Sequence, residues 1–249
     1  ERTGKPEVIA LYKKYADLRM NLLPYIYAQA IVSSREGVPM MRAMFVAYPH
    51  DPACRTLDGQ YLFGDSLLVA PVVEEGQFTK NVYFPEGRWM PLFGESVAQE
   101  GNRYATVRAD LGDIPVYIRE NGVVPLNLDA SLRLCSHVGN RVDRYERLVF
   151  CLHLTGEIDY VFEDDLGPEI RLTARKEAGE IRVSVRSVRD EPVTVWLKGV
   201  GEVRAATGGR GPLRQAGSAE DLTAGFYFLR DGDCYVHLAG QDDTVVLSI

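Results

Sequence analysis

The sequence has no long apolar run and no cluster of basic residues, and both absences restrict the partners it can have. No apolar stretch in the 249 residues approaches the roughly 20 residues that a membrane-spanning helix requires. Lys and Arg never occur more than two in a row, and the formal net charge is −7 with an isoelectric point near 5.2. A surface of this charge repels nucleic acid and anionic lipid. We therefore expect neither nucleic acid nor a membrane as a partner.

Cysteine is scarce, and the four residues Cys54, Cys135, Cys151 and Cys234 lie far apart. No Cys-x-x-Cys pair occurs, so the spacing of a zinc site or of a redox dithiol is missing. Isolated thiols of this kind are usually buried core residues. We expect no cofactor and no metal site. Unpaired thiols favour a reducing compartment, so the expected location is the cytoplasm.

The remaining composition is that of an ordinary globular protein. Hydrophobic residues make up 46% of the chain and charged residues 25%, which is enough to form a substantial core. Aromatic and β-branched residues recur along the whole length, and this distribution argues against disorder. The length fits one large domain or two small ones.

The first 37 residues have the period of an amphipathic helix. Apolar side chains recur at steps of three and four at Val8, Leu11, Tyr12, Tyr15, Leu18, Leu22, Ile26 and Ala30. Thr3 and Pro6 are typical of a helix start, and Gly37 followed by Pro39 is typical of a helix end. Pro24 lies inside the pattern and removes a backbone donor, so we expect a kink or break within residues 20–24.

From residue 38 onward the period changes to two, which indicates short β-strands. Strands are predicted at residues 42–48, 81–84, 104–109, 116–119 and 148–154. The apolar run 67–73 indicates a strand buried on both faces. At 181–186 and 193–197 every second residue is aliphatic, and we expect one solvent-facing side in each of these strands.

Regularly spaced strands of this kind are typical of antiparallel β-sandwiches. The polar segment 127–133 follows the last apolar run of the first set of strands and is the candidate boundary between two sets. The glycine-rich segment 207–218 lacks the spacing of a phosphate-binding loop and is interpreted as a flexible loop. The expected fold is mainly β, with an N-terminal kinked helix followed by two antiparallel β-sandwich domains.

Adjacent acidic residues are the first candidates for acid/base chemistry. Asp164 and Asp165 follow Glu163, but neighbours in an extended strand point to opposite faces and should not converge on one bond. A solvated turn or a capping role is the simpler interpretation. Asp242 and Asp243 precede the last predicted strand and are interpreted as a turn.

The histidines do not form a recognisable site in the sequence. His50 and Asp51 lie between two prolines, with no serine or cysteine nearby in a nucleophile setting, so a catalytic relay is not favoured. His137, His153 and His237 are scattered without the spacing of metal ligands.

One charged residue and three aromatic residues have two interpretations each. Arg42 lies in a mostly apolar run, where we expect a structural role with a carboxylate or backbone carbonyls as its partner. Tyr83, Trp89 and Phe93 are candidates for a sugar-stacking platform, although aromatic residues at strand positions more often belong to a core.

Eight short motifs follow one another along the first half of the chain. They are LR at 18–19, LLPYIY at 22–27, GVPMMR at 37–42, QYLFG at 60–64, LLVAPV at 67–72, VYFPEGRW at 82–89, IPVYIR at 114–119 and GVVP at 122–125. As an ordered set they resemble glycoside hydrolase family 31, which includes α-glucosidases and α-xylosidases. The segment FEDD at 162–165 resembles a Tyr-Glu-Asp-Asp-Gly motif of the same family, with Leu166 in the place of the glycine.

The resemblance implies an organisation in three parts. The segment 1–40 corresponds to the last helix of a (β/α)₈ barrel, followed by a proximal β-sandwich at 41–128 and a distal β-sandwich at 129–249. Enzymes of this family are retaining glycosidases with two barrel aspartates, and retaining enzymes hold their two carboxylates about 5 Å apart. The nucleophile motif Asp-Met-Asn-Glu does not occur here, and a barrel of roughly 250 residues cannot fit into this mostly β chain.

We therefore expect no catalytic, cofactor-binding or metal-binding residue in this chain. The expected function is that of a C-terminal accessory region of a retaining α-glycosidase, inactive without the barrel. The sequence does not distinguish hydrolysis from glycosyl transfer and does not identify the sugar.

Two alternatives stay open, a stand-alone carbohydrate-binding module and one chain of a split enzyme. The first has no use for the helix. An isolated helix with Leu22, Leu23, Tyr25 and Ile26 on one side either self-associates or folds back onto the first sandwich. We expect dimers or larger species, with the missing barrel or a second copy as the partner and carbohydrate only as a weak one.

Overall fold

The computed structural model describes residues 4–134, 144–189, 191–239 and 242–249. Over these ranges the chain is mainly β with a helical N-terminal segment, which confirms the expected fold class. No helix in the described ranges is both long enough and apolar enough to cross a membrane.

The N-terminal segment forms two consecutive helices, α1 (Pro6–Asn21) and α2 (Leu23–Glu36). A proline lies in the first turn of each helix, where its missing N–H removes no intrahelical hydrogen bond. The helical path is interrupted at Leu22, inside the interval 20–24 where a kink or break is expected. At its end, α2 is closed by Gly37 in the left-handed conformation, with φ of 70°.

The rest of the described chain contains one short helix, one 3₁₀ helix and twenty strands. They are β1 (Met41–Ala43), α3 (Met44–Ala47), the 3₁₀ helix (Pro52–Thr56), β2 (Tyr61–Phe63), β3 (Leu67–Val69), β4 (Thr79–Phe84), β5 (Arg88–Pro91), β6 (Gln99–Glu100), β7 (Arg103–Arg108), β8 (Val116–Arg119), β9 (Val123–Leu128), β10 (Arg147–Leu152), β11 (Glu157–Phe162), β12 (Ile170–Glu177), β13 (Glu180–Ser187), β14 (Val193–Leu197), β15 (Ala205–Gly208), β16 (Gly211–Pro212), β17 (Arg214–Gln215), β18 (Phe226–Arg230), β19 (Asp233–Leu238) and β20 (Asp243–Ser248).

The strands form four sheets. Sheet 1 has the order β1-β2-β3-β8-β5-β6, and sheet 2 is the pair β4-β7. Sheet 3 has the order β17-β18-β19-β14-β10-β9, and sheet 4 has the order β11-β12-β13-β20-β15-β16. Neighbouring strands are antiparallel, as expected, except that β10 pairs with β14 and β17 pairs with β18 in parallel. The expectation of purely antiparallel sheets is wrong for these two pairs.

Three hydrophobic cores lie between the four sheets. Residues of sheets 1 and 2 share one core, residues of sheets 1 and 3 share a second, and residues of sheets 3 and 4 share the third. Alternation along the strands explains this arrangement, because successive side chains point to opposite faces. In sheet 1, Leu68 and Tyr117 lie in the core with sheet 2, whereas their neighbours Leu67 and Ile118 lie in the core with sheet 3.

Sheet 3 is buried on both faces, and this corrects the prediction for residues 193–197. Val195 packs toward sheet 4 and its neighbour Trp196 packs toward sheet 1, so β14 has no solvent-facing side. The alternation along residues 193–197 reflects two different buried faces, and neither of them is exposed to solvent. The prediction for 181–186 is confirmed, since Ile181, Val183 and Val185 are buried between exposed or half-buried polar residues.

Other strand predictions hold in part. The predictions at 81–84, 104–109, 116–119 and 148–154 coincide with β4, β7, β8 and β10 to within a few residues. The predicted strand 42–48 is wrong after Ala43, because Met44–Ala47 is helical and only Met44 of that turn is buried. The run 67–73 is buried only through Ala70, and Val73 is 77% exposed.

Two further expectations concern loops and boundaries. The segment 207–218 contains β16, β17 and the end of β15, so its interpretation as a loop without strands is wrong. Strand β9 pairs along its whole length with β10, so residues 123–128 belong to the same sheet as residues from 147 onward. The division into 1–40, 41–128 and 129–249 stays a prediction.

Helix α2 is fixed to sheet 1 through Tyr25. This side chain is fully buried, its hydroxyl donates to the carbonyl of Phe63 at 2.6 Å, and the N–H of Ser66 donates back to it at 3.2 Å. Gly64 lies directly beneath the ring with φ of 65°, and a Cβ there would lie 2.2 Å from the Tyr25 hydroxyl. The turn therefore requires glycine for its backbone and for the space that it leaves.

This contact settles where part of the apolar stripe is buried. Leu22 and Tyr25 join the core between sheets 1 and 3, whereas Leu23 and Ile26 are half-buried. The sequence predicts that the helix either self-associates or folds back onto the first sandwich. Leu22 and Tyr25 fold back onto the chain's own β structure.

We expect Gly64→Ala to destabilise the chain far more than Gly37→Ala. Both glycines have positive φ, which costs alanine about 1 kcal/mol, but only Gly64 has a neighbour within 4 Å of the new Cβ. Overpacking at Gly64 should add about 1–3 kcal/mol. Urea denaturation measures the difference, and equal losses for the two variants would contradict the importance of the Tyr25 contact.

Candidate functional site

Asp164 is a buried structural carboxylate. Its Oδ1 accepts a hydrogen bond from Arg189 Nη2 at 2.7 Å, and its Oδ2 accepts from Arg189 Nη1 at 3.2 Å and from the Tyr145 hydroxyl at 2.8 Å. Both side chains of the ion pair are almost fully shielded from solvent. The N–H of Leu166 also donates to Asp164 Oδ1, so the carboxylate closes the turn as a cap. An acid whose acceptor sites are filled in this way is not free to transfer protons to a substrate.

The other acidic candidates are engaged elsewhere. Glu163 forms a bidentate pair with Arg35 at the end of α2, with distances of 2.5 and 2.8 Å, while Asp165 is exposed. Asp242 pairs with Arg186 at 3.0 Å, and Asp243, the first residue of β20, accepts the N–H of Ala239 at 3.0 Å. These contacts agree with the turn and capping interpretation. They do not bring the carboxylates to one point.

His50 and Asp51 do not act together as a catalytic pair. Asp51 caps the 3₁₀ helix by accepting the N–H of Ala53 at 2.9 Å and accepts the Tyr83 hydroxyl at 2.7 Å. His50 is exposed. The thiol of Cys54 lies nearby, but burial and the adjacent Asp51 raise its pKa to about 12, so it stays protonated. The arrangement does not form a nucleophile and its base.

His153 is buried and His237 is half-buried, and neither belongs to a group of possible metal ligands among the described residues. Desolvation lowers the pKa of His153 to about 4, with Arg88 adding to the effect, and burial lowers the pKa of His237. The Nδ1 atoms of both lack a hydrogen-bond partner among the described residues. His137 and Cys135 lie outside the described residues. Within the described part of the chain, no group of three or more His, Cys, Asp or Glu side chains could hold a metal ion.

The remaining candidates from the sequence divide between core and surface. Arg42 donates from Nε to the Pro39 carbonyl at 3.0 Å, in line with the expected carbonyl partner. Trp89 is fully buried, and Tyr83 is 6% exposed, so both are core residues between sheets 1 and 2. Phe93 is only half-buried, and its ring lies 6.4 Å from that of Trp196.

Phe93 leads to a groove that the sequence reasoning missed. The groove has a volume of about 380 Å³ and lies beside sheet 3, close to the junction with sheet 1. Trp196 and Tyr235 stack along its floor with centroids 5.3 Å apart and an interplanar angle of 21°. Arg230 and Asp231 from the turn between β18 and β19 form part of its rim. Of this set, only Phe93 was singled out in the sequence.

A buried ion pair holds the groove in shape. Asp233 accepts the indole N–H of Trp196 at 2.7 Å and lies 3.2 Å from Lys198 Nζ, which itself lies 4.6 Å from the Trp196 ring centroid. The Ser96 hydroxyl and the Gly199 N–H also donate hydrogen bonds to the Asp233 carboxylate, at 2.7 and 2.8 Å. Ser96 precedes β6 of sheet 1, so the network links the two sheets.

A sequence signal for this network does exist. Lys198 follows the apolar strand β14 directly, and Asp233 begins the apolar strand β19, so each charge lies at the end of a buried element. Opposite charges in such positions are typically paired. The sequence alone does not show that β14 and β19 are neighbours, and this is why the pair was not recognised.

Comparison with known proteins assigns the fold to a family. Residues 37–124 match the model of the glycosyl hydrolase family 31 C-terminal domain. This chain is a C-terminal part of a glycoside hydrolase family 31 protein. Over 179 residues it is 37% identical to the isomaltosyltransferase of Sporosarcina globispora, and over 127 residues 36% identical to an alpha-glucosidase of Hordeum vulgare.

The structure of the cycloalternan-forming enzyme of Listeria monocytogenes in complex with a pentasaccharide substrate resembles this family 31 region over nearly its whole length. The TM-score is 0.92 with 32% identity, over 99% of this chain. The chain spans 24% of that protein, 16% of the isomaltosyltransferase and 14% of the alpha-glucosidase. The alignments cover 72% of this chain for the isomaltosyltransferase and 50% for the alpha-glucosidase.

The low pKa of His153 predicts a loss of stability in mild acid. Its pKa of about 4 in the folded chain lies below the ordinary histidine value of 6.5, so the unfolded chain binds a proton first as the pH falls. Protonation of His153 in the unfolded chain therefore lowers the free energy of unfolding as the pH falls from 6.5 toward 4. The decrease is about 1.4 kcal/mol per pH unit at most, and above pH 6.5 the full free energy is retained.

Denaturation series at several pH values, run on the wild type and on His153→Gln, measure this contribution. The variant should show a shallower decline of unfolding free energy between pH 6.5 and 4. His50→Gln, at an exposed position, is the matched control and should follow the wild type. An unchanged slope in His153→Gln would contradict the prediction.

Proposed function

We propose that this chain is the C-terminal accessory region of a family 31 enzyme that acts on α-glucosidic bonds, and that it is inactive without a catalytic barrel. The observation that carries the proposal is the exposure of apolar side chains in the N-terminal segment. Sixteen large apolar side chains are exposed among the described residues, and seven of them lie within residues 8–46. A surface of this kind is typical of a buried interface in a larger assembly.

The exposed face of α1 supports docking to another body. Ile9 and Tyr12 are 62% and 78% exposed, and they are three residues apart, which places them on one face of the helix. Closer to its C-terminus, α1 is held by the loop before β8. There the Tyr15 hydroxyl donates to the Gly112 carbonyl at 2.9 Å, and Lys14 pairs with Asp113 at 2.9 Å. With one side anchored, α1 presents its apolar face outward as a fixed surface.

The same exposure extends to the first strand. Met41 and Phe45 are 60% and 51% exposed, and β1 is an edge strand of sheet 1. An uncovered edge strand beside apolar side chains is a place where proteins join other elements. The occupant that we propose is the catalytic barrel. A second copy of this chain would take its place when the chain is isolated.

Glycosyl transfer is favoured over hydrolysis for the whole protein. The match to the isomaltosyltransferase extends over 72% of this chain, and the match to the alpha-glucosidase over only half. The similarity to the cycloalternan-forming enzyme covers 99% of the chain. We propose, on this basis, a parent enzyme that transfers α-glucosyl units. The stand-alone sugar-binding module is disfavoured, because it gives no purpose to the exposed face of α1.

We also propose a reducing location for this protein. Cys54, Cys151 and Cys234 are free and buried. Three shielded thiols are compatible with the cytoplasm, where disulfides rarely persist.

The purified chain is expected to release no p-nitrophenol from p-nitrophenyl α-glucoside. The acidic residues that were candidates for catalysis are engaged in pairs and caps or lie alone on the surface. A spectrophotometric assay tests this. Release of product that disappears in Asp165→Asn or Asp242→Asn, both at exposed positions, would overturn the proposal.

The purified chain is also expected to self-associate through the exposed face of α1. Sedimentation velocity over a range of concentrations should show dimers or larger species, and the double change Ile9→Glu with Tyr12→Glu should shift them toward monomer. Val188→Glu is the control, since Val188 is 80% exposed but lies beside sheet 4. A concentration-independent monomer, or an equal effect of the control, would contradict the docking role of this face.

A further inference from the structure

We propose that the groove beside sheet 3 binds a glucosyl unit of an α-linked oligosaccharide. Its lining combines aromatic rings with a few polar and charged side chains, which is the usual composition of a small-molecule site. The volume of about 380 Å³ lies within the range of roughly 300–1,000 Å³ that is typical of small-molecule sites. The identity of the sugar rests on the proposed function, whereas the existence of the site rests on the groove alone.

Three aromatic rings line the groove. Phe93 lies 6.4 Å from Trp196, and Trp196 stacks on Tyr235 at 5.3 Å. Phe93 is half-buried, so part of this residue faces solvent. An exposed aromatic face is the surface on which the apolar C–H face of a pyranose ring packs, since such rings present a large apolar area and a negative face.

Arg230 supplies fixed hydrogen-bond donors at the rim. Its Nη2 donates to the Ser131 carbonyl at 2.7 Å and its Nη1 to the Leu132 carbonyl at 3.3 Å, while the guanidinium lies 5.1 Å from the Phe228 ring centroid. These contacts use two of the five guanidinium N–H groups. The remaining groups have a fixed direction, because the fork is planar and held on one side.

Asp231 supplies the acceptor. It is exposed, and its φ of 53° places it in the left-handed region, at the tip of the turn between β18 and β19. A carboxylate beside a guanidinium offers an acceptor and donors at neighbouring points, which is the pattern that two adjacent hydroxyl groups match. Arg133 adds a second guanidinium to the lining, so donors outnumber acceptors around the groove.

Asp233 lines the groove and keeps its floor rigid. Its two oxygens accept from Trp196, Lys198, Ser96 and Gly199, as described above, and these four donors fill its acceptor sites. The indole therefore cannot rotate without breaking a buried charged network. A preformed floor lowers the entropy that binding costs, which matters for a ligand with many hydroxyl groups.

Isothermal titration calorimetry with isomaltotriose and maltotriose tests the site on the purified chain. Binding in the millimolar range is expected, and Phe93→Ala should weaken it by up to about tenfold, because the stacking face is removed. Phe78→Ala removes another exposed aromatic side chain and should leave the affinity unchanged. Circular dichroism of each variant establishes that it is folded.

Asp231→Asn provides a second variant that preserves the turn, since asparagine adopts the left-handed conformation readily. It should weaken binding to a smaller extent than Phe93→Ala. Absence of binding heat with both α-linked sugars, or affinity unaffected by Phe93→Ala and Asp231→Asn, would overturn the proposal. Binding of cellotriose but of neither α-linked sugar would overturn the α-glucan assignment. These outcomes are distinct from the activity and self-association results that test the proposed function.

Discussion

The contact between Tyr25 and the turn at Gly64 is the constraint on which the N-terminal half depends. One hydroxyl donates to Phe63 and accepts from Ser66, so a buried tyrosine satisfies itself and two backbone groups of the turn. The backbone and the ring fit only because position 64 has no side chain. The family motifs around LLPYIY and QYLFG are therefore two halves of a single packing contact, brought together across 38 residues of chain.

Leu22, close to this contact in the chain, lies with Tyr25 in the core between sheets 1 and 3. Among the described residues, sheets 1 and 3 each contribute to two cores, whereas sheets 2 and 4 each contribute to one. The buried pair of Lys198 and Asp233, with Ser96 beside it, completes the polar part of the same junction.

The sequence pattern predicted features that depend on a few consecutive residues. It predicted little of what depends on which strands are neighbours in a sheet. The helix break, the glycine at its end and the strand at 181–186 were predictable, because proline, glycine and alternation act within a few residues. The strand at 193–197 was misjudged because Thr194 and Trp196 contrast with aliphatic neighbours and are nevertheless buried. The groove was missed for the same reason. Phe93, Trp196 and Arg230 are more than 30 residues apart from each other, and only sheet topology brings them together.

The pairing of β9 has a consequence for how this region can be divided. The match to the family model ends at residue 124, inside β9, yet all six residues of that strand pair with β10. A chain cut at residue 124 would divide β9, the edge strand of sheet 3. The apolar residues that β9 covers would then be exposed to water. The matched range therefore ends inside a strand and does not coincide with the edge of a sheet. A fragment that keeps this part of sheet 3 intact has to include residues 123–128 together with residues 147–152.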